Sequence, residues 1–316
     1  MLLPDSRVYV AGHTGLAGSA ICRRLEAEGH RKLLLRTHAE LDLTDERTVE
    51  SFFAAEKPSH VILAAAKVGG IAANAAFPAE FLSVNLRIAA NVIESAWRQG
   101  AEKLLYLASS CIYPRVTPQP IREEALLTGA LEPTNEAYAI AKIAGLKLCQ
   151  AYRRQYGFDA IVAMPTNLYG PHDQFDAESG HVLPALLRRF HEAKQTGVPE
   201  VTVWGSGSPR RDFLHADDLA AACLALLHDY SDEMPVNIGS GGDISIRDLA
   251  RLIAETVGYR GAIRFDSSRP DGTPEKRLDI SRIKALGWRP AIDLRSGIEQ
   301  TYRWYRENCA RETATV

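Results

Sequence analysis

The sequence lacks the features of a secreted, membrane or nucleic-acid-binding protein. Net charge is only −2 with 24% charged residues, so no broad basic field attracts nucleic acid or a membrane surface. No apolar run approaches the roughly 18 residues of a membrane span. The N-terminus has no basic segment followed by an apolar one, so no signal peptide is predicted.

Cysteine is also scarce. The five cysteines stand at positions 22, 111, 149, 223 and 309, without any C-x-x-C spacing. This spacing favours neither a disulfide framework nor a metal site, so we expect no metal and a cytoplasmic protein in a reducing compartment. Internal repeats and low-complexity segments are absent, and 316 residues suffice for one large domain or two modest ones.

A glycine-rich turn near the N-terminus is the first feature that points to a function. Residues 7–11 form a short apolar run, Gly12, Gly15 and Gly18 follow, and residues 19–28 have helical spacing. Glycine lets the backbone approach a pyrophosphate, which then binds free N–H groups at the helix N-terminus. Strand, turn and helix in this order predict dinucleotide binding, with a plain tight turn as the alternative.

The second predicted strand, residues 32–35, ends in Arg36 rather than in an acidic residue. An aspartate or glutamate there would bind the adenosine 2′-hydroxyl of NAD, whereas an arginine pairs with a 2′-phosphate. NADP(H) is therefore favoured, and a solvated arginine at a strand end is the alternative. Asp42, just before Leu43, is a candidate for contacting the adenine edge.

Strands and helices alternate through the first half of the chain. This alternation predicts an α/β fold, a doubly wound parallel sheet of Rossmann type with its ligand at the carboxyl ends of the strands. Ala64, Ala65 and Ala66 leave one such end, and Ser109, Ser110 and Cys111 leave another. The predicted strands are 60–64, 103–107 and 160–164, and the helices are 45–55, 78–100 and 138–156.

From about residue 173 the strict alternation ends. We expect residues 1–172 to form mainly the dinucleotide-binding domain. Residues 173–316 should form mainly a smaller substrate-binding lobe, with some segments returning to the first domain. The predicted elements of this part are helices 181–195, 216–227, 245–257 and 294–309 and strands 201–203 and 236–238.

Tyr138 and Lys142 lie four residues apart on a predicted helix, so they project from one face, one turn apart. A free tyrosine titrates near about 10, and a nearby ammonium in a dry site lowers that pKa. The pair predicts a general acid that protonates a carbonyl oxygen as hydride arrives at its carbon. A solvent-exposed surface pair is the alternative.

The sequence resembles the extended short-chain dehydrogenase/reductases, which are mostly nucleotide-sugar enzymes. The residues that match the pattern of this family are Gly12, Gly15, Gly18, Ser109, Tyr138 and Lys142. Longer matching segments extend the resemblance from about residue 7 to residue 308. They are segments 64–70, 109–114, 132–136, 165–172 and 203–207.

The resemblance implies NADPH-dependent 3,5-epimerisation and 4-reduction of a GDP-sugar, GDP-4-keto-6-deoxy-D-mannose, by a homodimer. Three alternatives remain. One is a related GDP-4-keto sugar epimerised at C5 only, as on the route to GDP-colitose. The second is 4,6-dehydration with tightly bound NAD, and the third is a catalytically silent dinucleotide-binding module.

The resemblance also implies catalytic roles. Cys111 and His181 would be the base and the acid of epimerisation, since a modest shift gives a thiol substantial thiolate and imidazole titrates near neutrality. Ser109 would orient the keto oxygen, Tyr138 would protonate O4, and Lys142 would hold the nicotinamide ribose and lower the Tyr138 pKa. For Cys111 an inert core position is the alternative, and for His181 helix packing.

The implied binding residues form two overlapping sets. The sequence departs from the family at Thr14, where several relatives carry a basic residue that helps hold the 2′-phosphate. Arg210 is the alternative to Arg211 as the residue that binds the diphosphate. The implied cofactor contacts are Gly12, His13, Thr14, Gly15, Leu16, Ala17, Gly18, Arg36, Asp42, Leu43, Ala64, Ala65, Ala66, Leu107, Ala108, Ser109, Ser110, Tyr138, Lys142, Pro165, Thr166, Asn167, Leu168 and His181. The implied substrate contacts are Ser109, Ser110, Cys111, Asn167, Arg189, Trp204, Arg211, Asp271 and Lys276.

Overall fold

The computed structural model describes residues 2–176, 180–268 and 271–310, and within these ranges it contains thirteen strands and ten α-helices. The strands are β1 Val8–Ala11, β2 Leu33–Leu34, β3 His60–Leu63, β4 Lys103–Leu107, β5 Asp159–Pro165, β6 Asn167–Tyr169, β7 Glu200–Trp204, β8 Arg210–Arg211, β9 Phe213–His215, β10 Val236–Ile238, β11 Ile244–Ser245, β12 Ala262–Asp266 and β13 Glu275–Lys276. The helices are α1 Leu16–Ala27, α2 Glu46–Glu56, α3 Ile71–Ala76, α4 Pro78–Arg98, α5 Glu136–Tyr156, α6 Val182–Thr196, α7 Ala216–Asp229, α8 Ile246–Val257, α9 Ser281–Ala285 and α10 Leu294–Asn308.

Six of the strands form one parallel sheet in the order β10-β5-β4-β3-β1-β2. Strands β1, β3 and β4 are buried along their whole length, as expected for parallel strands covered on both faces. Helix α1 packs along α7, and α4 packs along α5. The predicted doubly wound α/β fold is confirmed.

Strand β10 comes from the C-terminal half of the chain but pairs with β5, with Val236 opposite Ala163. A second apolar cluster lies apart from the sheet, between helices α6, α8 and α10 and strand β7. Its largest fully buried side chain on α6 is Phe190. The division of the chain at residue 172 stays a prediction.

The short strands are where the sequence prediction fails. Residues 165–172 lie outside every predicted strand, but they contain β6, which pairs with β9 so that Leu168 lies opposite Leu214. Strands of two or three residues are too short to show periodicity, so only their tertiary partners reveal them. Within the described ranges, no helix has both the length and the apolar character of a membrane span.

Candidate active site

The glycine turn after β1 packs directly onto the loop after β3. Gly12 has a φ of +85°, and a Cβ there would lie 2.8 Å from the Cα of Ala65. A Cβ on Gly18 would lie 2.1 Å from the carbonyl oxygen of Gly12. Neither position tolerates a side chain, so the backbone of the turn stays open to a ligand. The predicted segments around Gly12 and Ala64–Ala66 therefore meet at the carboxyl edge of the sheet.

This turn fits the pyrophosphate of a dinucleotide. The N-cap residue of helix α1 is Gly15, which has no side chain to cap the first amides of the helix. The Nδ1 atom of His13 is buried and has no hydrogen-bond partner among the residues that the structure describes. Free donors beside a close backbone approach are what a phosphate needs, and the flanking residues Thr14, Leu16 and Ala17 lie in the same turn.

Beyond β2 lies the predicted adenosine region. Arg36 lines a cavity of about 360 Å³ with Glu40 and Arg47. Asp42 uses one carboxylate oxygen to accept hydrogen bonds from the backbone and hydroxyl of Thr44, at 2.9 and 2.8 Å. The side chain of Leu43 is buried.

Tyr138 and Lys142 converge on α5, as the spacing predicts. The Lys142 ammonium lies 5.9 Å from the centroid of the Tyr138 ring, 4.8 Å from that of Tyr106, and donates to the carbonyl oxygen of Leu107 at 2.7 Å. Leu107 ends β4, so this hydrogen bond ties the helix to the carboxyl end of a central strand beside Ala108. A Cβ on Gly145 would lie 2.5 Å from the Tyr106 ring, so a glycine there allows this close packing.

The pKa of Tyr138 differs from the sequence prediction. Burial raises the pKa of its phenol, and the nearby Cys111 raises it further, whereas Lys142 was expected to lower it. Burial in turn lowers the pKa of Lys142 to about 8. Desolvation disfavours the charged form of each group. The Tyr138 hydroxyl therefore keeps its proton at neutral pH, the state from which a general acid must start.

Ser109, Ser110 and Cys111 follow β4 in a short 3₁₀ turn. The Ser109 hydroxyl accepts a hydrogen bond from the Cys111 amide at 3.4 Å. Burial raises the pKa of the Cys111 thiol, although Lys276, Ser109 and Lys142 each draw it back. The expected shift toward thiolate is therefore wrong in direction. The two ammonium groups still place Cys111 in an electropositive pocket.

His181 is the residue immediately before α6, with an exposed side chain. Although the side chain is exposed, desolvation by neighbouring protein lowers the pKa of its imidazole, which favours the neutral form over the acid that the sequence predicted. Residues 177–179, just before it, lie outside the described residues.

The remaining predicted substrate residues lie in the C-terminal half of the chain; they are Arg189, Trp204, Arg211, Asp271 and Lys276. The Arg189 guanidinium stacks over the Trp204 ring at 5.0 Å. Asp271 accepts hydrogen bonds from the amide and hydroxyl of Ser206 at 2.9 and 2.6 Å. Arg210 pairs with an aspartate, Asp243, at 2.6 Å, whereas Arg211 is half-buried. Of the two arginines, Arg211 is thus the better placed for a buried ligand.

Sequence reasoning missed Asp212, which connects the two halves of the site. Its backbone carbonyl oxygen accepts hydrogen bonds from the Thr166 hydroxyl at 3.0 Å and from the side-chain amide of Asn167 at 2.8 Å; both donors lie in the segment between Pro165 and Leu168. Its own amide donates to the carbonyl oxygen of Lys276 at 3.1 Å. The only sequence signal was an acidic residue between an arginine pair and the apolar strand β9.

The carboxyl group of Asp212 is fully buried and accepts from the amide and hydroxyl of Ser240 at 3.0 and 2.6 Å. Burial raises its pKa from 3.8 to about 6. The folded chain thus binds this proton more tightly than the unfolded chain. The resulting stabilisation is complete below pH 3.8 and is lost as pH rises through about 6.

The variant Asp212→Asn should therefore gain stability relative to wild type as pH rises. The neutral amide avoids ionisation in the core, so the difference in free energy of unfolding should shift by up to about 3 kcal/mol in its favour between about pH 4 and pH 7. Urea unfolding at both pH values measures this shift. A difference that stays constant with pH would contradict the assignment.

The chain is 61% identical over 304 residues to GDP-L-fucose synthase 1 of Arabidopsis thaliana, covering 96% of this chain and 94% of that protein. It is 54% identical over 315 residues to the GDP-L-fucose synthase of Escherichia coli, covering 97% and 98%.

A solved GDP-L-fucose synthetase from Naegleria fowleri, bound to NADP, has a TM-score of 0.89 and 30% identity. The alignment covers 98% of this chain and 96% of that one. A model of the NAD dependent epimerase/dehydratase family matches residues 8–239. The chain therefore belongs to the NAD dependent epimerase/dehydratase family, as the glycine turn and the Tyr138/Lys142 pair already indicated.

Proposed function

We propose that this protein converts GDP-4-keto-6-deoxy-D-mannose into GDP-L-fucose, by epimerisation at C3 and C5 and reduction at C4 with NADPH. The observation that carries the proposal is the convergence of Tyr138, Lys142, Ser109 and Cys111 at the carboxyl end of β4. The relatives that are 54% and 61% identical over nearly the whole chain support the choice of substrate.

Epimerisation needs a base and an acid on opposite faces of the sugar. A 4-keto group acidifies the protons on C3 and C5, because losing either one gives an enolate that the carbonyl stabilises. Cys111 is the base in this proposal, and the ammonium groups of Lys276 and Lys142 favour its thiolate. Cys111 keeps the proton that it removes, and His181 in its protonated form supplies a new proton from the other face; its lowered pKa makes that form less abundant but a stronger acid. Each positioned acid or base contributes about 10²–10⁴ in rate.

Reduction uses the other members of the site. NADPH, when bound, supplies a hydride to C4. The Tyr138 hydroxyl donates its proton to O4, and Ser109 donates a hydrogen bond that orients the same oxygen. The phenolate that remains on Tyr138 is stabilised by the Lys142 ammonium, whose distance from the ring is 5.9 Å. The residues that would hold the cofactor are the glycine turn around Gly12 and, at the adenosine 2′-phosphate, Arg36.

The substrate would bind between the two apolar cores. Arg211 offers paired N–H donors for the diphosphate, and Trp204, which is 48% exposed, offers a flat face for stacking. The Arg189 guanidinium lies over the Trp204 ring, so a ligand would stack on the other face of the ring, and Asp271 accepts hydrogen bonds from Ser206.

The test is the absorbance of NADPH after addition of GDP-4-keto-6-deoxy-D-mannose, with product stereochemistry read by NMR. We expect NADPH consumption and the L-fuco product. Faster turnover of the 3-deoxy analogue would instead favour the GDP-colitose route. A purified protein that retains oxidised NAD would favour dehydration, and no NADPH oxidation with any GDP-keto sugar would favour a silent binding module.

We also propose a cytoplasmic homodimer that pairs through α4 and α5. None of the five cysteines, all within the described residues, forms a disulfide, which suits a reducing compartment. On α5, Ile140 and Tyr156 are 43% and 47% exposed, and Tyr156 stacks on Trp97 of α4 at 4.2 Å. Exposed apolar side chains on long helices suit an interface. Sedimentation velocity should give a dimer for wild type and a monomer for Ile140→Glu; a monomeric wild type would refute the proposal.

A further inference from the structure

The geometry points to Glu56 as a residue that sets the preference for NADPH over NADH, by competing with the cofactor's 2′-phosphate for Arg36. Arg7 moderates this competition because it shares the same carboxylate. The inference rests on the proposed NADPH dependence and goes beyond it, since neither Glu56 nor Arg7 belongs to the predicted site.

The Arg36 side chain is directed away from the glycine turn. Its backbone follows β2 at the carboxyl edge of the sheet, where the turn after Ala11 also lies. Its Nη2 atom, however, donates to Oε1 of Glu56 at 2.8 Å. Glu56 is the last residue of α2 and lies near the opposite edge, just before β3 begins. The guanidinium therefore extends along the sheet toward its amino-terminal edge.

Two further contacts stabilise this orientation. Nη1 of Arg36 donates to the carbonyl oxygen of Leu35 at 2.8 Å, and the guanidinium lies 5.5 Å from the centroid of the Phe52 ring. The side chain nevertheless remains 35% exposed and borders the cavity near Glu40 and Arg47. A phosphate in that cavity must attract a guanidinium that is already paired, so part of its binding energy offsets the loss of the Glu56 contact.

Arg7 offers Glu56 a second partner. Its Nη2 atom lies 2.5 Å from Oε2 of Glu56, and its backbone precedes β1 at the amino-terminal edge. When Arg36 turns to a phosphate, Arg7 keeps the carboxylate paired and so lowers the cost of the exchange. Removing Glu56 and removing Arg7 should thus have opposite effects on NADPH binding.

The test is equilibrium titration of NADPH and NADH, read by nucleotide fluorescence in the absence of substrate. Glu56→Ala should lower the dissociation constant of NADPH about threefold to fivefold, the effect expected of one part-exposed ion pair, and leave the dissociation constant of NADH unchanged. Glu56→Gln should act in the same direction but less strongly, because its amide oxygen still accepts from Arg36. Arg7→Ala should weaken NADPH about twofold or more.

A double-mutant cycle separates this role from a general structural one. In an Arg36→Ala background, Glu56→Ala should no longer change NADPH affinity, because the group through which it acts is gone. The inference is overturned if Glu56→Ala weakens NADPH binding, or changes the affinities for NADPH and NADH alike, or still changes NADPH affinity in the Arg36→Ala background. A wild-type chain that binds both cofactors equally would overturn the cofactor assignment and the inference together. A wild-type chain that prefers NADPH but fails to reduce the keto sugar would overturn the proposed function alone.

Discussion

Tyr138→Phe is expected to lower the rate of NADPH oxidation about 10³-fold or more, while solvent deuterium still enters the substrate at C3 and C5. The phenol is the only proton donor assigned to O4, and a positioned general acid is worth about 10²–10⁴ in rate. Because burial keeps Tyr138 protonated, the wild-type site is ready to donate throughout the neutral range. Epimerisation uses other groups and should proceed in the variant.

Two measurements on the same sample check this division of labour. The absorbance of NADPH follows reduction, and NMR follows exchange at the two carbons. Tyr152→Phe is the matched control, since Tyr152 lies on the same helix but packs against Trp97 instead. It should leave both rates near wild type. Loss of exchange together with reduction in Tyr138→Phe would show that Tyr138 also serves epimerisation.

Cys111→Ser should have the complementary effect and suppress deuterium uptake at C3 and C5. A serine hydroxyl is a far weaker acid than a thiol, so the variant has almost no conjugate base at neutral pH. We expect exchange to fall about 10²–10⁴-fold. Cys309→Ser, at the far end of α10, is the control and should exchange normally. Normal uptake in Cys111→Ser would remove Cys111 from the role of base.

The pH dependence of exchange gives a second check on Cys111. Burial raises the pKa of the wild-type thiol, so the fraction of thiolate increases as pH rises and continues to increase beyond the ordinary value of a thiol. The exchange rate should rise with pH in the same way. In a Lys276→Ala variant the rise should move to still higher pH, because one of the ammonium groups that stabilise the thiolate is lost. A rate that is flat with pH would argue against a cysteine base.

The local patterns that the sequence predicted correctly share one property: each depends on neighbours along the chain. The glycines at 12, 15 and 18 allow a close backbone approach wherever the turn is placed. The spacing of Tyr138 and Lys142 puts both on one helix face, whatever packs against that face. The apolar runs that became β1 and β4 alternate along the chain with helical segments, and this alternation is typical of buried parallel strands.

The sequence by itself therefore determined the α/β fold, the glycine turn after β1 and the placing of Tyr138 and Lys142 on one helix face. The tertiary structure alone decided the direction of the pKa shifts at Tyr138 and Cys111, since desolvation depends on what other segments cover. It also decided that Arg36 pairs with Glu56, 20 residues away, and that Asp212 links Thr166 to Lys276. Such contacts join residues distant in the chain, so no local pattern of sequence encodes them.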